Sequence, residues 1–80
     1  MNRNDLLAKF ETAGISPAAY SIDGVSRNET YVLSRGEKDC WIVYYSERGL
    51  MTALAQFATE SDACAELLSR VLDDPSTRAR

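Results

Sequence analysis

The sequence predicts an α+β domain, an antiparallel four-stranded meander flanked by an N-terminal and a C-terminal helix in the order α-β-β-β-β-α. Three observations predict it. Residues 4–13 place apolar side chains at helical spacing and are closed by Gly14 and Pro17. Residues 29–58 hold strand-forming runs broken by tight-turn signals. Thr59-Glu60-Ser61-Asp62 then opens an amphipathic helix with its acids in the first turn, where the helix dipole favours them.

Each element has its own warrant. In the first helix Asn4 is the expected cap, and Leu6, Leu7, Phe10 and Ala13 share one face. Gly14 supplies the left-handed residue that ends a helix, and Pro17 prevents its continuation. Tyr20-Ser21-Ile22 alternates apolar and polar before Asp23-Gly24, as a short edge strand does before a turn. Residues 29–35 form the second strand, in which Thr30, Tyr31 and Val32 favour a pleated backbone. After the loop at residues 35–39, residues 40–46 form a third strand, the most apolar and so the central one. Its two faces are Cys40, Ile42 and Tyr44, or Trp41, Val43 and Tyr45. Both sets are apolar, so alternation does not decide between them; the Cys40 set is expected to face the core.

Glu47-Arg48-Gly49 reads as a three-residue hairpin loop, and residues 50–58 return as the fourth strand. The second helix buries Cys64, Leu67, Leu68, Val71 and Leu72 along one stripe. Asp73-Asp74-Pro75 ends it, with acids at the wrong pole of the dipole and hence a fraying end. Residues 1–75 are expected to form a single domain, with residues 76–80 as a disordered tail.

Eighty residues at 45% hydrophobic and 26% charged describe one ordinary globular domain. A chain this short needs nearly all its apolar residues to close one core, which leaves little for a deep substrate pocket. It contains no run long enough to cross a membrane and no apolar leader after Met1, so the expected compartment is the cytoplasm. The net charge of −3 argues against nucleic acid as a partner and suits either a basic protein partner or simply the solubility of a small domain, two readings that charge alone does not separate.

Catalytic constellations are missing from the sequence. With no histidine there is no histidine-based triad or general base. Cys40 and Cys64 are too far apart for a CxxC metal or redox motif and read as small buried hydrophobes. The glycines are isolated turn residues, not a phosphate-binding loop. The expectation is a chain that is not an enzyme and uses neither cofactor nor metal.

Four segments carry a resemblance: Tyr20-Ser21-Ile22-Asp23-Gly24, Glu29-Thr30-Tyr31-Val32-Leu33, Trp41-Ile42-Val43-Tyr44-Tyr45-Ser46-Glu47-Arg48-Gly49 and Phe57-Ala58-Thr59-Glu60-Ser61-Asp62-Ala63-Cys64. Together they resemble the small immunity proteins encoded beside bacterial polymorphic toxins, including those of contact-dependent inhibition systems. The resemblance implies a cytoplasmic protein that binds one cognate toxin and blocks its active site, and it supplies no catalytic residue. From charge and exposure, the expected contacts are Asp23, Glu29, Glu37, Asp39 and Glu47 as acids facing a basic toxin, with Tyr45 and Arg48 as anchors. They are expected to gather from loops at one end of the sheet and from the third strand. Two competing expectations are a homodimeric adaptor paired through an open sheet face or an edge strand, and a small-molecule or nucleic-acid binding domain, the nucleic-acid form of which the acidic balance disfavours.

Overall fold

The computed structural model describes residues 1–22, 28–36 and 39–78. Its elements are α1 (Arg3–Thr12), β1 (Tyr20–Ser21), β2 (Thr30–Arg35), β3 (Trp41–Glu47), β4 (Leu50–Phe57) and α2 (Glu60–Asp73), with short 3-10 turns at Pro17–Ala19 and Pro75–Thr77. The chain is α+β, as its sequence predicts, with one four-stranded sheet in the order β1-β2-β3-β4.

The cap of α1 is Asn2, two residues before the one expected. Its side chain accepts the Asp5 N–H at 2.9 Å, while the Asp5 carboxylate accepts the Asn2 N–H. Asn2 prevails because the acid three residues on closes a reciprocal capping box, satisfying two end donors at once. Gly14, at φ 72°, ends the helix in the left-handed region. The Arg3 N–H and guanidinium both donate to Glu60, and the terminal ammonium donates to Ser61. The start of α1 is thereby fastened to the start of α2.

The expected meander is correct for β2, β3 and β4, which pair antiparallel, but not for β1. Tyr20 and Ser21 lie parallel to Tyr31 and Val32, so the sheet is mixed. A parallel neighbour ordinarily needs a crossover of a dozen residues or more. Here the strand is only two residues long, so the chain has little distance to recover before β2 begins. Residue patterning carries no signal for that choice.

The β3–β4 loop is tighter than expected. Glu47 pairs with Leu50, leaving Arg48 and Gly49 alone in the turn at φ 51° and 80°. Positive φ at both central residues marks the hairpin turn whose twist matches its strands. Further along, Val43 lies opposite Ala55 and Tyr44 opposite Ala53, so Leu54 is an extra residue and β4 bulges there.

Thr59 caps α2 through the Asp62 N–H. Ala63, Cys64, Leu67 and Val71 of α2 bury against Leu33 and Val43 of the sheet and Leu6 and Phe10 of α1. Full burial of each large side chain stabilises the fold by about 1.5–3 kcal/mol. The Trp41, Val43 and Tyr45 set therefore faces the helices, not the Cys40 set. Val43 pairs with Leu33 in the core, whereas Tyr44 pairs with Val32 on the opposite face. Tyr44 and Val32 are also buried, so apolarity on both faces concealed the answer.

The expected tail is corrected at residues 76–78. Thr77 is buried and donates its hydroxyl to the Val71 and Asp74 carbonyls. Ser16 donates its N–H to the Thr77 carbonyl, Ile15 bridges Arg78, and the Arg78 guanidinium reaches the Ala13 carbonyl. These contacts draw the chain after α2 back across the α1–β1 connection.

Candidate functional site

The start of β2, the end of β3, the start of β4 and the exit of α2 meet at one end of the sheet. The register sets Tyr31 opposite Tyr45, and their rings lie 4.8 Å apart and tilted by 56°, a favourable aromatic arrangement. Tyr31 donates its hydroxyl to Asp74 at 3.0 Å. The other carboxylate oxygen of Asp74 accepts the Ser76 hydroxyl at 2.7 Å and the Ser76 N–H at 3.0 Å. Asp74 is thus a fixed turn-forming residue rather than part of a frayed end.

Those contacts set the electrostatics. The Ser76 hydroxyl and N–H, with help from Tyr31, hold the Asp74 carboxyl below the usual carboxylate range against a partial burial penalty. Burial, then the hydrogen bond and charge of Asp74, push the Tyr31 phenol up to about 12. Burial also raises the Tyr45 phenol, followed by the charges of Glu47, Glu29 and Asp74. Tyr45 therefore sits in the field of three carboxylates.

Two turns frame the pair. Glu29 and Arg48 both occupy the left-handed region, at φ 55° and 51°. The Asn28 side chain accepts the Arg48 N–H at 2.7 Å, joining the approach to β2 with the β3–β4 turn. Tyr45 lines two clefts. One, of about 380 Å³, is walled by Ser16, Asn28, Glu29, Tyr31 and Asp74. The other, of about 260 Å³, is walled by Glu47, Arg48, Leu50 and Thr52. Leu50, 73% exposed, adds an apolar flank.

Of the residues expected from sequence, Glu29, Tyr45, Glu47 and Arg48 converge here. Asp39 does not: it stands at the opposite end of the sheet, paired with Arg35 beyond the β2–β3 loop. A hairpin puts its loop and its open end a full strand length apart, so the two sets of acids could not share one end. Asp23 and Glu37 lie outside the described residues. Asn28, Tyr31 and Asp74 were missed. Asp74-Pro75-Ser76 does carry a turn signal, and Tyr31 would follow from the hairpin register once the loop was placed.

The remaining aromatic and sulfur groups have structural surroundings. The Arg3 and Arg35 guanidiniums each lie 5.6 Å from the centre of the Trp41 ring, and Trp41 packs on the core. Cys64 is a buried free thiol whose pKa burial pushes up, foremost, with Glu60 adding to the rise; such a thiol is a poor nucleophile. Cys40 is also free and only partly buried. Among the described residues no group of three or more Cys, Asp or Glu is placed to hold a metal, and no helix is long and apolar enough to cross a membrane.

Comparison with protein-family models, with curated proteins and with solved structures gives no match.

Proposed function

We propose that this chain is a non-enzymatic immunity protein that binds a basic toxin domain in the cytoplasm and occludes its active site. The observation that carries the reading is the Tyr31–Tyr45 pair ringed by Glu29, Glu47 and Asp74, with Leu50 beside it. An aromatic centre with an adjoining apolar side chain and a charged rim is the anatomy of a binding hot spot. The acids would steer a basic partner and raise its association rate. The sequence resemblance supplies the class of partner. The test is capture of partners from the native cells, followed by growth of cells expressing the captured toxin with and without this chain. Immunity requires one toxin captured and growth restored; capture of no toxin, with no rescue, overturns it.

A second reading, the homodimeric adaptor, draws support from β4. Among the described residues this strand has a strand neighbour only on its β3 side, carries no charge, and exposes Leu50 and Met51 at 73% and 53%. Natural edges are usually blunted by charge or proline. Sedimentation of the isolated chain over a concentration series distinguishes the readings: a stable dimer supports the adaptor and a monomer removes it.

A further inference from the structure

We infer that the larger cleft receives a single arginine side chain from the protein partner. The inference rests on the binding reading above and adds to it the chemistry of the contact.

The cleft has the size, walls and charge for this occupant. Its volume of about 380 Å³ is ample for one long side chain, and it is open at the surface. Glu29 and Asp74 contribute carboxylates to its walls, Tyr31 and Tyr45 contribute rings, and among the described residues no lysine or arginine lines it. Asp74 is already oriented by Ser76 and Tyr31, so little side-chain freedom is lost when a cation arrives. Arginine suits this better than lysine. Its planar guanidinium can lie on a tyrosine face while its fork of donors meets carboxylate oxygens, whereas an ammonium offers a compact and strongly hydrated charge.

The walls come from several separate parts of the chain, the α1–β1 connection with Ser16 among them. Glu29 belongs to the turn before β2, Tyr31 and Tyr45 to neighbouring strands, and Asp74 to the exit of α2. The cleft therefore exists only in the folded chain. A basic segment without an arginine able to enter would lose the stacked and forked contact but keep the general attraction of the acidic surface.

The test uses the whole chain and two small probes, N-acetylarginine amide and its uncharged isostere N-acetylcitrulline amide. Each is titrated while the Tyr31, Tyr45 and Glu29 resonances are followed by NMR. The expected result is a saturable shift at those three residues with the arginine probe and none with citrulline. Glu29→Gln, at an exposed position, weakens the arginine probe by about tenfold, the weight of one charge-assisted hydrogen bond. Equal shifts from both probes, shifts confined to other surfaces, or an unchanged affinity in Glu29→Gln would overturn the inference. This outcome is separable from failure of the immunity reading. A chain that neutralises a toxin but ignores the arginine probe loses only this inference; a chain that binds the probe and rescues no toxin loses only the other.

Discussion

Tyr31 joins three elements through one side chain. Its backbone lies in β2, its ring meets Tyr45 of β3, and its hydroxyl donates to Asp74 beyond α2. Tyr31→Phe keeps the ring contact and removes the bond to a carboxylate; at this partly buried position the expected loss is about 1–2 kcal/mol in urea unfolding. The phenol's pKa is raised in the fold, so its contribution is complete below its unfolded value of about 10 and is lost as pH rises through about 12. Asp74 runs the other way. Its folded pKa is depressed, so its contribution is present above about pH 3.9 and is lost as pH falls through the folded value. Stability measured from neutral to alkaline pH should therefore decline in the wild type, with the Tyr31 share of that decline absent in Tyr31→Phe. At the core, Phe10 is fully buried and touches the Tyr20 ring at 4.3 Å between centroids. Phe10→Ala should cost about 3–5 kcal/mol in the same assay.

At the scale of elements, the β3–β4 turn offers a test of local chemistry. Arg48 holds φ 51°, which costs a residue with a Cβ, and Asn is the favoured residue before Gly in such a turn. Arg48→Asn should raise stability by about 0.5 kcal/mol, read from the denaturation midpoint; a loss of stability would mean that the arginine makes compensating contacts. The same element shows what was legible in the sequence. The run Trp41-Ile42-Val43-Tyr44-Tyr45 and Gly49 together specify a strand followed by a tight return. Thr59 and Asp62 specify the start of α2, and the stripe Cys64, Leu67 and Val71 specifies its buried face. The parallel placement of β1 was not legible, because a two-residue strand has too few side chains to record its neighbour. Nor was the inward face of β3, because both its faces are apolar. The candidate site was legible only where acids and aromatics happened to flank one hairpin. Asp39 was misplaced because nearness in sequence across a hairpin is distance in space, and Asp74 was overlooked because its role depends on a tyrosine 43 residues away.

At the scale of the whole molecule, the two ends of the sheet differ in how their charges are used. At the β2–β3 loop end, Arg3, Arg35, Glu60 and Asp39 are matched in ion pairs around Trp41. At the other end Glu29, Glu47 and Asp74 surround two tyrosines, and this is the face proposed for the partner. Contacts of exposed acids with a basic protein are screened by salt, so association should slow as ionic strength rises while dissociation changes less. Stopped-flow mixing with the captured partner measures both. The most direct measurement is the affinity of that partner for the wild type, for Glu29→Lys/Glu47→Lys, and for Asp39→Lys as a control at the opposite end. The predicted result is a loss of at least about 2 kcal/mol in the double variant and little change in the control. An affinity left intact by reversal of Glu29 and Glu47 would contradict the assignment of this end of the sheet as the binding surface.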